Sequence, residues 1–536
     1  MNKFALFILP IIGGFLSFLA WSEFPLYFLI FIAWCPLLFI EDYFSVKYKN
    51  TVKLKLLIPA FLFFFSWNLF TTYWLFFASP IGTVCALVAN SLLMCVPFLL
   101  FHQSKKKFGS TRGYFSLIAF WMSFEYLHQY WDLSWSWLNL GNVFSNFPAL
   151  IQWYEYTGSS GGTLWVLLFN LLIFSQAKKI AANPPEVTNF IQMIKAFRSI
   201  VWKPALLLFA PIFLSLIIYS TYSEKGDDVE VVVIQPNIDP HKKFNGDFIS
   251  LHSEKLFTAS KKNLTENTDY ILLPETAIPQ YIYLNELETY DAIKQIRKII
   301  GKFSNLNFIT GAGTLYKFGK NETLSKTARA LGCKGLMVDI HNSALQINKE
   351  EEIQIYHKSK LVPGAEKMPF SQYFPFLDNL LVDLGGIKGS LVTQEERAVF
   401  SSKNGLNVAP IICYESIYGE YIADYVKNGA DLLFILTNDA WWGNTAGHKQ
   451  HLHYASLRAI ETRRSIARSA NTGISCFINQ RGDIIQASKY GEEAALIGKI
   501  KSNDTITVFV KYGDVISRLC LAVSILFLLK IVFRSR

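Results

Sequence analysis

Three short stretches of this sequence each deliver one reactive side chain at the end of an apolar run. LLPETAIP places Glu275 behind a hydrophobic segment and a proline. IYHKSKLVPGAEKMPF carries Lys358, with Glu366 further on. VAPIICYESIYGE carries Cys413, followed by Tyr414 and Glu415. A thiol with a pKa of about 8.5 is a weak nucleophile until it loses its proton. A carboxylate within hydrogen-bond reach takes that proton as general base. A lysine ammonium favours both the thiolate and a tetrahedral oxyanion, and the N–H of Tyr414 is a candidate second oxyanion donor. Attack on an ester or amide would leave a thioester for an amine or water to resolve. Taken singly, each residue has a plainer reading. A cysteine at a strand end is more often packed core, or half of a disulfide. A glutamate after proline is usually a solvated turn, and a lysine at a charged strand end is usually surface.

The region 228–505 must position these groups. Its β-branched runs are VEVVVIQPN (229–237), DYILLPETA (269–277), NFITGAGTLY (307–316), NVAPIICYE (407–415) and ADLLFILTND (430–439). SIARSANTG (465–473) and SCFINQRGDII (475–485) follow, and helical patterns cover 245–263, 286–303 and about 450–464. Strands alternating with helices predict an α/β layered domain, in which three strand ends can converge on one crevice. The sequence contains no phosphate-binding glycine loop, dinucleotide fingerprint or serine elbow.

The rest of the chain is of another kind. The 536 residues are 51% hydrophobic and 17% charged, with a net charge of +10. Apolar segments at 4–20, 24–40, 56–77, 81–101, 114–131, 163–176, 205–221 and 515–533 predict eight membrane spans, seven in region 1–221 and one after the layered domain. Basic residues gather in alternate connections: Lys3; Lys47, Lys49, Lys53 and Lys55; Lys105, Lys106, Lys107 and Arg112; Lys178, Lys179, Lys195, Arg198 and Lys203; and Lys530, Arg534 and Arg536. The connections 21–23, 78–80 and 132–162 have no Lys or Arg. The positive-inside rule then puts both termini in the cytoplasm and region 228–505 outside it. The same distribution explains the basic charge without a nucleic-acid partner. The Trp- and Tyr-rich stretch 131–162 reads as an interfacial aromatic belt or as the wall of a lipid-facing cleft.

The ordered set PETA, then Lys in a YxKxxLVP context, then CYE, resembles the Glu-Lys-Cys triad of the nitrilase superfamily. IQPNI (234–238), HNSA (341–344), TNDAWWG (437–443) and RAIETRRSIARSANTG (458–473) agree with it. Together with the predicted spans, nearly the whole chain resembles the apolipoprotein N-acyltransferases, a family of bacterial inner-membrane enzymes. The resemblance implies an α-β-β-α nitrilase-like sandwich on an eight-helix base. It implies Glu275 as general base, Lys358 as oxyanion stabiliser and Cys413 as nucleophile, with Glu366, Tyr414 and Glu415 in support. The implied acyl donor is a phospholipid and the implied acceptor is the diacylglyceryl-cysteine amine of an apolipoprotein, with no cofactor and no metal. Two departures from the family pattern stand out: Gly364-Ala365 where Phe-Gly is commoner, and Phe244 near a frequent Trp. A membrane-anchored amidase and a non-enzymatic lipoprotein-handling protein are the alternative functions. The number of spans speaks against the first, and the second would keep the fold without the chemistry.

Other candidates are weaker. His448, His451 and His453 suggest a metal site, but no acidic or Cys partner stands at a ligand spacing, and they also fit the start of a helix. Glu125 lies in an apolar segment, solvated or hydrogen-bonded near its outer end. Cys35, Cys85, Cys95 and Cys520 are small hydrophobes, and a Cys333–Cys476 bridge is left open.

Overall fold

The computed structural model describes residues 3–24, 26–47, 53–182, 184, 190–240, 242–243, 246–331, 335–349, 352–374, 376 and 389–533. Phe244, Cys333, Lys49, Arg534 and Arg536 lie outside them. The chain divides into two compact units, one of 1–76, 80–222 and 512–536, the other of 77–79 and 223–511.

The first unit is helical because its segments are long and apolar. Among the described residues, six helices are long and apolar enough to cross a membrane: Tyr27–Lys47, Lys55–Phe77, Pro80–Phe108, Ser159–Ala182, Ile200–Thr221 and Val515–Phe533. The other two expected spans also fold as helices. Phe4–Ala20 is shorter, and Ser110–Leu127 is diluted by Arg112, Glu125 and several serines. The segment expected at 163–176 lengthens at both ends, to Ser159–Ala182. Its first turns are Ser and Gly, and a Cβ on Gly162 would stand 1.8 Å from the Tyr154 hydroxyl. Small residues therefore let stretch 131–162 pack onto this helix.

That stretch is largely interior. Trp137 and Tyr154 are fully buried, and the Tyr154 hydroxyl donates to the Gly141 carbonyl at 2.8 Å. Glu125 is the knot beneath it. This buried carboxylate accepts from Trp121 Nε1 at 2.9 Å, the Leu140 N–H at 2.8 Å and Thr163 Oγ1 at 2.7 Å. A second knot was not foreseen. Glu41 and Asp42 on helix Cys35–Lys47 draw in Lys105 (2.5 and 3.0 Å), and Asp42 also holds Lys178 at 2.7 Å. Two lysines from different basic connections thus meet one acidic pair. Burying these charges carries a desolvation cost that their mutual attraction must offset.

The second unit is two facing sheets with helices outside them. One sheet runs Ala494–Lys501, Asp228–Gln235, Tyr270–Leu272, Asn307–Lys317, Leu336–Ile347, Arg329–Leu331, with Ile278–Tyr283 and Gln354–His357 attached alongside. The other runs Ile484–Ala487, Cys476–Ile478, Ile466–Ala470, Leu432–Thr437, Asn407–Ile412, Phe400–Ser401. The inner faces interlock: Tyr270 meets Phe434 edge-on with centroids 5.1 Å apart, and Ser469 Oγ donates to the Ile234 carbonyl at 2.8 Å. On the outside of the first sheet, Leu256, Phe257, Ile293 and Ile296 from helices Gly246–Lys262 and Asp291–Ile300 pack on Val232, Ile271 and Phe308. Helices Gly419–Lys427 and Ala446–Thr462 bury apolar faces beside the second sheet. The expected α/β layering is therefore present.

Two of the boundaries that moved bear on the site. The expected strand 269–277 stops at Leu272, and PET forms a turn in which Thr276 has φ 47°. The expected strand 407–415 stops at Ile412, and Cys413 opens a tight 3₁₀ turn, Cys413–Ile417, with φ 51°. Strand Leu336–Ile347 was not foreseen as an element; its polar HNSA centre hides the β pattern.

Candidate active site

The groups meet because strand ends and turns bring them together. Glu275 sits in its left-handed turn against Gly311, whose missing side chain is required: a Cβ there would stand 2.4 Å from the Thr276 nitrogen. Lys243, buried, donates to the Glu275 carbonyl at 3.1 Å and to Thr276 Oγ1 at 2.8 Å, pinning the same turn. Lys358 follows strand Gln354–His357, and its N–H donates to the Asn342 carbonyl at 2.8 Å. That bond sets Lys358 beside Asn342 on the neighbouring strand.

At the centre, Lys358 Nζ lies 2.9 Å from Glu275 Oε1 and 2.8 Å from Glu366 Oε1. Asn342 Nδ2 donates to the same two oxygens, at 2.7 and 3.2 Å. The lysine is only 1% exposed. Glu366 is held in turn by the Val362 N–H, 2.9 Å from Oε2. Gly364 has φ 79°, so the loop reserves this position for a residue free to turn left-handed. That accounts locally for Gly where the commoner pattern has a bulky ring.

Cys413 is buried at the head of its turn, within electrostatic reach of both Glu275 and Lys358. Burial pushes its thiol well above the usual range; Glu275 adds to the rise, Lys358 opposes it, and a hydrogen bond with Thr437 opposes it less. Burial by itself would lower the Lys358 pKa. The carboxylates of Glu275 and Glu366 outweigh it and hold the ammonium well above its ordinary value. Burial takes the Lys243 ammonium down to about 7, against the pull of Glu275. The arrangement sets a buried thiol near an ion triplet, in which a carboxylate can take a proton and an ammonium can meet developing negative charge.

Glu415 ties two of these pieces together. One oxygen accepts the Ile412 N–H at 2.8 Å; the other accepts the Ser359 N–H at 2.7 Å and the hydroxyls of Tyr356 and Tyr421 at 2.7 and 2.6 Å. It links the cysteine turn to the lysine segment. Its pKa is raised by burial, which these hydrogen bonds oppose. Tyr414 is buried, with its ring edge-on to Tyr418 at 5.4 Å.

Glu275, Lys358 and Glu366 are in direct contact, Cys413 is their electrostatic neighbour, and Glu415 acts from behind. Sequence reasoning missed Asn342, inside the quoted HNSA, and Lys243, close to IQPNI. The three histidines lie on helix Ala446–Thr462, as the helix-start reading expected. His448 Nε2 turns to Asn444 at 3.1 Å and its ring lies 4.4 Å from Tyr490. His451 turns instead to Asp439 and the Cys413 carbonyl. Among the described residues no group of three His, Cys, Asp or Glu side chains is placed to hold a metal ion. Cys476 is free and buried; its suggested partner Cys333 is outside the described residues.

Residues 231–508, more than half of the chain, match the family described as carbon-nitrogen hydrolase. Residues 13–172 match the apolipoprotein N-acyltransferase N-terminal domain. An apolipoprotein N-acyltransferase from Chlorobaculum tepidum is 29% identical over 97% of this chain and 95% of its own length. One from Geobacter metallireducens is 27% identical over 77% and 74%. Among solved structures, Saccharomyces cerevisiae Nit3, described as a nitrilase-superfamily member, superposes with a TM-score of 0.36 at 14% identity, covering 52% of this chain and 93% of that one.

Proposed function

Because the chain belongs to the carbon-nitrogen hydrolase family, we propose that it moves a fatty acyl chain from a phospholipid, through a thioester on Cys413, to the N-terminal amine of the diacylglyceryl-cysteine of apolipoproteins. The observation that carries this reading is the buried Lys358 ammonium held between Glu275 and Glu366 beside the Cys413 thiol. Full-length likeness to N-acyltransferases, and not to soluble hydrolases alone, supports the lipid substrates. So do the exposed aromatics Tyr373 and Phe374, on the segment that follows Glu366.

The steps balance. Cys413 Sγ attacks the ester carbonyl carbon as Glu275 takes the thiol proton. The oxyanion is met by Lys358 and the Tyr414 N–H. The C–O bond breaks, the proton passes from Glu275 to the glycerol oxygen, and a lysophospholipid leaves. The acceptor amine then attacks the thioester, gives its proton to Glu275, and the thiol is restored as the amide forms. Binding acyl chains at about 0.8 kcal/mol per CH₂ holds the donor in place and keeps out water that would hydrolyse the thioester. Asn342, Glu366 and Glu415 hold the reacting groups in position.

The test is an intact mass of the purified protein after incubation with phospholipid. The wild type is expected to gain one acyl chain and Cys413→Ala none; no adduct on the wild type, or an equal one on the variant, overturns the reading. Eight spans in a bacterial inner membrane, with both termini cytoplasmic and 228–505 periplasmic, complete the proposal. A maleimide that cannot cross membranes is expected to label Lys489→Cys, at an exposed position, in intact spheroplasts. Lys106→Cys should react only after the membrane is opened, and the reverse pattern would invert the topology.

A further inference from the structure

The peptide unit between Cys413 and Tyr414 has two working ends. A trans peptide points its N–H and C=O in opposite directions, so whatever grips the Cys413 carbonyl also aims the Tyr414 N–H. The carbonyl oxygen is gripped twice. Ser416 Oγ donates to it at 2.8 Å, and His451 Nε2 lies 3.2 Å away. Ser416 Oγ and His451 Nε2 are themselves 3.0 Å apart. Because a carbonyl only accepts, a hydrogen bond here requires the proton on Nε2, with Nδ1 then placed to accept from Arg468 Nη2 at 3.2 Å.

The imidazole is fixed from behind. Nδ1 lies 3.0 Å from Asp439 Oδ1, which also accepts from Thr437 Oγ1 at 3.0 Å. Asp439 Oδ2 accepts from Arg468 Nη2 at 2.7 Å, and Arg468 Nη1 is anchored on the Ile474 carbonyl at 2.5 Å. Gly473 leaves room for the carboxylate: a Cβ there would stand 2.4 Å from Oδ2. Asp439, His451 and Arg468 are all buried. So much buried polar structure behind a cysteine held at φ 51° calls for a reason, since a non-glycine residue in that region persists only where its surroundings enforce it.

We propose that His451 is a positioning residue for the oxyanion donor: held by Asp439 and Arg468, it clamps the Cys413 carbonyl and so points the Tyr414 N–H at the acyl oxygen. This rests on the thioester reading above. The role differs from thiol activation, because the clamp acts on the peptide and not on Sγ. An oxyanion donor matters when Cys413 attacks a carbonyl. It is idle when the same thiol displaces iodide from iodoacetamide, where no oxyanion forms.

The experiment measures both reactions on the full-length protein: acyl-adduct formation with phospholipid by intact mass, and alkylation of Cys413 by iodoacetamide. In His451→Ala, acylation should slow by about 10- to 100-fold, somewhat less than outright loss of an oxyanion donor, with alkylation changed by no more than about twofold. His451→Gln, which keeps an N–H donor on a side chain of similar length, should recover most of the acylation. Parallel losses in both reactions, or no loss of acylation, overturn the proposal. Should alanine at 451 prevent folding, Ser416→Ala decides: a selective loss of acylation supports the clamp, and a parallel loss or none overturns it. If the wild type forms no adduct on Cys413, the thioester reading falls and the clamp with it; adduct on the wild type with no selective loss in the variants removes the clamp alone.

Discussion

Glu275→Gln is expected to lower the rate of acyl-adduct formation on Cys413 by about 10²- to 10⁴-fold, the usual worth of a positioned general base. The substitution is nearly isosteric, and its amide oxygen still accepts from Lys358 and Asn342, which meet Glu275 Oε1 at 2.9 and 2.7 Å. What disappears is the proton acceptor. A second readout isolates this. Burial raises the Cys413 pKa, so below the raised value the thiolate fraction grows about tenfold per pH unit. In Glu275→Gln, alkylation by iodoacetamide should therefore keep climbing with that slope through pH 9, where an ordinary thiol would already be levelling. Acylation of the variant at the wild-type rate would remove Glu275 as base, and levelling near pH 8.5 would contradict the raised thiol.

Lys358→Met should be costlier still, because it acts on stability and chemistry together. The ammonium is the only cation contacting both Glu275 Oε1 and Glu366 Oε1 among the described ion pairs. Without it, two nearby carboxylates share Asn342 and repel, and breaking a buried pair in this way costs about 3–5 kcal/mol. Acylation should fall about 10³-fold or more, since an oxyanion donor is lost and the base is left unpartnered. Thermal unfolding in detergent measures the first effect and intact-mass kinetics the second. Lys358→Arg separates them. The charge is kept, so most of the stability should return, but the planar fork cannot occupy the ammonium's position between the two carboxylates and acylation should stay low. Wild-type acylation in the methionine variant would refute the assignment.

The catalytic candidates were legible because each stands just past an apolar β-branched run, and such runs announce strands. What lay beyond the runs was not legible. Cys413 and Thr276 adopt φ near 50°, which no residue type at those positions advertises, so both strands were drawn too long. Asn342 and Lys243 were missed because their value lies in contacts with residues distant in sequence, at the Glu275 and Glu366 carboxylates and at the Glu275 carbonyl. The place of His451 is illegible for the same reason: the histidine spacing fits the start of a helix, which Ala446–Thr462 is, but does not show that one of the three faces a peptide carbonyl. In the helical unit, hydropathy found the helices, while Glu41, Asp42 and Glu125 meet their partners only once the helices pack.

The raised thiol of Cys413 also bears on durability. Peroxide and disulfides react with thiolates and scarcely with thiols. In its proposed role, a buried thiol with a raised pKa beside a carboxylate stays chemically quiet until an acyl carbonyl and a proton acceptor are both in place. The features that slow its ionisation therefore also shield it from sulfenic acid formation and mixed disulfides. In the proposed topology, with 228–505 outside the reducing cytoplasm, Cys413 can in this way stay unpaired.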